Sequence, residues 1–384
     1  MLTQIRRLRI AQVAPLYESV PPRFYGGTER VVSYLTEELV RRGHEVTLFA
    51  SGDSTAHASA LESTCPQALR AAGKASCGAS LHLPTLSRVF EMAERFDVIH
   101  CHLDYWAFPF ARLVATPTVS TLHGRLDIEE LLDVYRYYSR SPVVSISNAQ
   151  RAPLPELNWI GTVYHGLPRE QLRFSPGPGK YLAFLGRISP EKRPDLAIEV
   201  ARRAGIPLKI AAKVDDADRE YFEAVIRPLL QSKDVEFVGE INEREKNDFL
   251  GNALALLFPV DWPEPFGLVM IEALACGTPV IARPCGSVPE VLRHGVTGFM
   301  AASVEGLAEA VGRISTISRQ ECRREFETRF TAGAMAANYE RVYEKLIEGR
   351  RGRNERASAR GETGVAGQAA GNEARRWRPR TQTA

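Results

Sequence analysis

Cysteine is sparse in this chain of 384 residues: there are six (Cys65, Cys77, Cys101, Cys276, Cys285, Cys322), with no C-x-x-C spacing among them. Neither a zinc site nor a disulfide framework is indicated, and a reducing compartment is expected. No run approaches the roughly 18 apolar residues that a membrane-spanning helix needs, and the opening Met1 to Ile10 is basic without the apolar stretch of a secretion signal. A cytoplasmic location is therefore expected, with peripheral contact at the inner face of the membrane left open. No G-x-G-x-x-G follows the first strand of either half of the chain, which disfavours a dinucleotide-dependent oxidoreductase. Strong net charge is absent too, at +3, but it is unevenly spread. Arg350 to Ala384 holds nine Arg against three Glu, a surplus of +6 that leaves the remainder at −3. That tail lacks hydrophobic periodicity and is expected to be a disordered, solvated extension, with no specific nucleic acid as partner.

What is present is a soluble balance of 44% hydrophobic and 25% charged residues in a chain too long for one ordinary domain. Leu8 to Ala14 reads as a strand, Thr28 to Arg42 as an amphipathic helix with Val31, Val32, Leu35 and Leu39 on one face, and Glu45 to Ala50 as a second strand. That strand-helix-strand opening is the unit of a parallel sheet, and further strands are expected at 97–100, 118–122 and 143–147. After the Pro/Gly-rich stretch Phe174 to Lys180 a second series follows, with strands at 181–185, 208–212, 235–238, 253–258 and 279–282. Helices fit between them, at 194–204, 217–231, 243–251 and 266–276. The expected architecture is α/β, two doubly wound Rossmann-like domains facing across a cleft. The expected boundaries are 1–173 for the first domain, 174–330 for the second, 331–348 for a final helix and 349–384 for the tail. Ligands in such sheets bind at the carboxyl ends of the strands, which places the site between the domains.

Within the apolar run Glu264 to Ala282, two carboxylates, Glu264 and Glu272, stand eight positions apart. Phe266 to Cys276 suits a buried helix entered after Pro265 and ended by Gly277. Glu272 is its one charged residue, and a lone carboxylate on an apolar helix requires a partner. An arginine or a ligand is expected to supply it. Glu264 precedes the helix N-terminus, where unpaired N–H groups attract anions, so a phosphate there would lie between the two glutamates.

Glu264 and Glu272, with Pro265, Phe266, Gly267, Gly277, Thr278 and Pro279, resemble the E-x7-E signature of retaining, nucleotide-sugar-dependent glycosyltransferases of family four, which have the GT-B fold. The resemblance runs from about Arg9 to Ile347. It implies transfer of a sugar from a nucleotide diphosphate sugar, as co-substrate, to the hydroxyl of a carbohydrate, lipid-linked or small-molecule acceptor, with no cofactor and no metal. It also implies a last helix that crosses back onto the first domain, Glu272 on the ribose, Glu264 on the donor sugar, and Phe266, Gly267 and Leu268 lining the donor site.

Three other segments fit this implication. Gly26-Gly27-Thr28-Glu29 lies between the first strand and its helix, where glycines let backbone N–H groups approach a phosphate. Arg187 and Lys192 follow the first strand of the second domain, and two cations there suit a diphosphate, Arg through its planar fork and Lys as a point charge. Lys213, at the next strand end, is a candidate for phosphate or base. His123 ends a strand of the first domain and by the resemblance is placed near the anomeric carbon. His100 and His102 flank Cys101, but strand alternation puts the thiol on the opposite face, so metal is disfavoured. Asp215-Asp216-Ala217-Asp218 contains a D-x-D but is read as a helix start whose acids complement the dipole.

Two departures are visible: Cys285 before Gly286, where relatives often have two glycines, and His165-Gly166, where Asn-Gly is more usual. The base, the sugar and the acceptor are not fixed. A sugar-nucleotide epimerase or hydrolase, or a non-catalytic sensor, remains the alternative.

Overall fold

The structure is a computed structural model that describes residues 6–24 and 26–359. Seven parallel strands form the first sheet: β1 (Arg9–Val13), β2 (Glu45–Phe49), β3 (Ala60–Glu62), β4 (Val98–Cys101), β5 (Thr118–Thr121), β6 (Val143–Ser145) and β7 (Trp159–Thr162). Their spatial order is β3-β2-β1-β4-β5-β6-β7. The second sheet holds β8 (Tyr181–Arg187), β9 (Leu208–Lys213), β10 (Val235–Gly239), β11 (Ala253–Phe258), β12 (Val280–Ala282) and β13 (Gly298–Met300). It runs in the order β10-β9-β8-β11-β12-β13, again parallel throughout. In each sheet the order reverses beside the first strand, between β1 and β4 and between β8 and β11. Those reversals open crevices at the strand carboxyl ends, and the two crevices face each other.

The expected helices form for the expected reasons, with shifted ends. The helix Gly27–Arg41 buries Val31, Val32, Leu35 and Leu39 against the first sheet. It stops where Gly43 and His44 donate N–H bonds back to the carbonyls of Val40 and Leu39. The apolar helix spans Leu268–Ala275, shorter than expected, because Gly267 adopts a left-handed conformation (φ 79°) just before it and leaves Phe266 outside. Its end is the same reciprocal closure, Gly277 N–H to Leu274 O and Thr278 N–H to Ala273 O.

The segment expected as one helix from 217 to 231 is broken into short turns around a π-helical stretch, Phe222–Ile226. Pro228 explains the break, since its ring supplies no N–H for the ladder and clashes with the carbonyl four residues back. The strands β3, β7 and β13 were not expected; they are edge strands of three or four residues, too short to show alternation.

The final helix, Ala332–Ala359, packs on the first domain beside Gly27–Arg41. It continues past Ile347 into the expected tail; residues 360–384 lie outside the described residues. Tyr339 and Tyr343, one turn apart, are fully buried in it, and its apolar face joins the cores of both sheets into one cluster. Two rings of this size contribute roughly 2–3 kcal/mol each by burial. Polar contacts orient them. Tyr343 OH lies 2.8 Å from His100 Nδ1, Tyr339 OH 2.9 Å from Thr121 Oγ1, and Glu340 takes a paired bond from Arg42 (2.7 and 2.6 Å) with His44 at 2.9 Å. The chain therefore has the expected α/β architecture, two parallel-sheet domains with the last helix returned to the first.

Candidate active site

A cavity of about 800 Å³ lies between the domains at the carboxyl ends of both sheets. His123, Arg187, Lys192 and Glu264 all line it, as do Gly26, Gly27, Lys213, Phe266, Gly267, Leu268 and Glu272.

On the second-domain wall, cations and carboxylates are interleaved. Arg187, the last residue of β8, bonds Glu191 Oε1 at 2.5 Å and stands 3.3 Å from Asp218 Oδ2, and Lys213 at the end of β9 meets Asp215 Oδ1 at 2.9 Å. The D-x-D acids begin a helical turn, as expected, but Asp215 and Asp218 also face these two cations. Lys192 Nζ contacts Glu264 Oε2 and sits 5.0 Å from the centre of the Trp262 ring, a cation–π distance. Gly286 (φ 54°) makes this corner possible, because a Cβ there would fall 2.4 Å from the backbone N and O of Glu264.

Glu272 has its partner, and it is a lysine rather than an arginine: Lys246 Nζ lies 2.7 Å from Glu272 Oε1. The same ammonium is 2.6 Å from Glu243 Oε1, which in turn takes Arg30 of the first domain at 3.2 Å. Burial works to raise the Glu243 carboxyl, but Lys246 and Arg30 outweigh it and hold it below the ordinary range. The chain Arg30, Glu243, Lys246, Glu272 thus crosses the cleft. Its last atom is incomplete, for Glu272 Oε2 is buried without a hydrogen-bond partner on a residue that faces the cavity. A buried carboxylate oxygen left so is costly unless a ligand completes it.

On the first-domain wall the polar groups are histidines, and their protonation can be traced. Gln12 in β1 donates its Nε2–H to Tyr343 OH (3.2 Å), so its Oε1 accepts from His102 Nε2–H at 2.8 Å. Burial keeps His102 neutral, well below the usual imidazole value. Its Nδ1 is therefore an acceptor, and the His123 Nε2 at 2.8 Å must be the donor. His123 is held neutral by the same burial, its value lowered to about 3. Its Nδ1 is then a lone pair with no protein partner among the described residues, on a ring that lines the cavity. His165 stacks on His123 with centroids 5.3 Å apart and meets Phe266 edge-on at 4.8 Å. His100 and His102 share a face, as alternation predicts, with ring centroids 4.1 Å apart. No group of three His, Cys, Asp or Glu among the described residues is arranged to hold a metal.

Sequence reasoning missed Lys246, Gln12, His102 as a relay, Asp104 and Trp262. Gln12 carried a signal, a polar side chain inside an apolar central strand, and so did Tyr339 and Tyr343 at helical spacing. Lys246 carried none, because its helix reads as an ordinary solvated one and the contact with Glu272 exists only in the folded packing.

Two family models match the chain: Glycosyltransferase Family 4 over residues 25–152 and Glycosyl transferases group 1 over residues 169–330. A D-inositol 3-phosphate glycosyltransferase of Mycobacterium marinum is 30% identical over 202 residues, 48% of this chain but 43% of that protein. The aligned part thus spans less than half of that curated relative. Among solved structures, AviGT4, a glycosyltransferase involved in avilamycin A biosynthesis, superposes with a TM-score of 0.69 at 24% identity over 89% of this chain and 98% of that one. Anabaena HepE in complex with UDP and glucose gives 0.67 at 18% identity, over 88% and 100%. At those identities the likeness is one of fold, the GT-B arrangement of two facing Rossmann-like domains. Taken with the two family matches on either side of the cleft, the chain belongs to glycosyltransferase family four.

Proposed function

We propose that this protein transfers a sugar from a nucleotide diphosphate sugar to an acceptor hydroxyl with retention of configuration. The observation that carries the reading is the unpaired, buried Oε2 of Glu272, eight residues from Glu264 on the wall of the same cavity. A ribose hydroxyl donating to Oε2 completes that carboxylate while Lys246 holds Oε1. Glu264 then accepts from the donor sugar's hydroxyls, and the sugar lies toward His123, whose Nδ1 lone pair takes a further hydroxyl hydrogen.

The diphosphate belongs beside Arg187 and Lys192 and at the start of the Leu268–Ala275 helix, where the helix dipole favours an anion. Gly26 and Gly27 approach it from the opposite wall, and Lys213 reaches the phosphate or base. That HepE was solved with UDP supports a nucleoside diphosphate ligand in this fold. The acceptor oxygen attacks the anomeric carbon on the face the diphosphate leaves, the carbon–phosphate-oxygen bond breaks, and the acceptor's proton passes to the departing phosphate oxygen. Arg187 and Lys192 stabilise the charge on that oxygen, so the reading includes no cofactor and no catalytic metal.

A thermal-shift panel of UDP, GDP, ADP and TDP tests the donor site, since a ligand that binds only the folded state raises its melting temperature. A rise with one base, removed by Glu272→Ala, is expected; no rise with any nucleotide in folded protein would overturn the assignment. Product analysis by NMR then separates retention from inversion and transfer from epimerisation or hydrolysis.

A further inference from the structure

Asp104 is one of two non-glycine residues among those described with positive φ, at 47°. It follows β4, lines the cavity, and its Oδ1 is buried with no hydrogen-bond partner. Among the described residues no cation lies within ion-pair distance of this half-buried side chain, nor of Glu29, a buried acid on the same wall whose Oε1 takes the Glu18 N–H at 3.3 Å. The positive charges of the same wall are committed elsewhere. Arg70 pairs with Glu18 at 3.0 Å, Arg125 with Asp127 at 2.8 Å, and Arg30 with Glu243 across the cleft. The histidines are neutral, as traced above.

The same cavity is lined by two aromatic side chains of this domain, Tyr17 and Trp106. His82 braces the pair, its ring 5.3 Å from Tyr17 and 4.8 Å from Trp106. That ring is fixed at both nitrogens, with Nδ1–H donating to Gly78 O (2.6 Å) and Nε2 accepting from Leu16 N–H (2.8 Å). A strained backbone at a cavity, a carboxylate oxygen with an empty acceptor position and rigid apolar faces are what a hydroxyl-rich ring requires. A phosphate would meet two uncompensated carboxylates and no available cation.

We propose that the first-domain half of the cleft selects a neutral polyhydroxyl acceptor, a carbohydrate whose hydroxyl donates to Asp104 and whose ring lies against Trp106 and Tyr17. The inference rests on the glycosyl-transfer reading above. It excludes sugar phosphates and other anionic acceptors from the productive position.

The test uses the full chain with the nucleotide sugar chosen by the thermal-shift panel. Nucleotide release is measured with paired acceptors: neutral mono- and disaccharides and myo-inositol against their monophosphates. Transfer to neutral members at least tenfold faster than to their phosphates is expected. In Asp104→Asn, acceptor kcat/KM should fall roughly ten- to a hundredfold, as for loss of a hydrogen bond to a charged group, with nucleotide affinity within twofold. Trp106→Phe, which keeps an apolar face, should cost less than Trp106→Ala and guards against a folding defect at position 104. Faster transfer to the phosphates, transfer to neither set by protein that binds nucleotide, or an Asp104→Asn variant with unchanged acceptor kinetics overturns the proposal. Failure to bind any nucleotide would overturn the donor-site reading instead.

Discussion

On the second-domain wall of the cleft each of Arg187, Lys192, Lys213 and Lys246 rests against a carboxylate, whereas on the facing wall Asp104 and Glu29 have no cation within ion-pair distance among the described residues. One wall is neutralised in place; the other keeps its acids uncompensated and its histidines uncharged. Burial pushes Glu29 up to about 7 and Asp104 up to about 6, so near neutral pH Glu29 is partly protonated while Asp104 is mostly ionised and uncompensated. An anionic ligand on the second-domain wall need only displace an internal carboxylate partner. On the first-domain wall there is nothing for an anion to displace, and hydroxyl groups are the ligands that gain.

The contrast can be broken from the donor side. Glu264→Gln should leave nucleotide affinity within twofold and lower transfer by about 10²–10³, the usual cost of removing one aligned polar group from a reacting centre. Unchanged turnover would remove Glu264 from its role, and a trapped glycosyl adduct on it would replace the phosphate-assisted route by a covalent one. Lys246→Met strands Glu272, 3% exposed, without its cation, and should cost about 3 kcal/mol in urea unfolding. Most of that loss should return in the double variant with Glu272→Gln, and a strictly additive cycle would show that the pair does not interact.

The first-domain wall sharpens the comparison through pH. Glu29 and Asp104 have folded values raised above those of the unfolded chain, so the native state binds more protons than the unfolded one between about pH 4 and 7. Their contribution to stability therefore falls as pH rises through that window, opposite to Glu340, whose value is lowered by Arg42 and His44 against the effect of burial and whose contribution is lost as pH falls. Glu29→Gln should raise stability at pH 7.5 relative to pH 5 by on the order of 2 kcal/mol compared with the parent; calorimetry at the two values decides it. Gln12→Leu, the mildest change, removes the acceptor that sets the His102 tautomer. Transfer should fall about tenfold with little change in nucleotide binding, and an equal loss of both would mark Gln12 as structural only.

Much of the second-domain lining of the cavity was readable in the amino-acid order because its determinants are local. Glu264 and Glu272 belong to one short segment, and Arg187 and Lys192 to one strand end, so spacing and flanking glycines carried them. What escaped reading is made of contacts distant in the chain: Lys246 to Glu272 between helices, Gln12 to His102 to His123 across three strands, and Tyr339 and Tyr343 onto the first sheet. The expectation of an arginine beside Glu272 failed on residue type, since a carboxylate's need for a cation does not choose between the two. The irregular 217–231 segment shows the other limit, where one proline outweighed helical periodicity.

The return of the final helix has a consequence for how the protein is made. The strands of the first sheet have all left the ribosome once Thr162 emerges, yet the hydroxyls that meet Gln12, His100 and Thr121 belong to Tyr339 and Tyr343. At roughly 5–20 residues per second, on the order of ten seconds or more of translation separate the two events. Through that interval the nascent first domain presents an unfinished polar row and an uncovered apolar flank, so the half closed last is the half synthesised first.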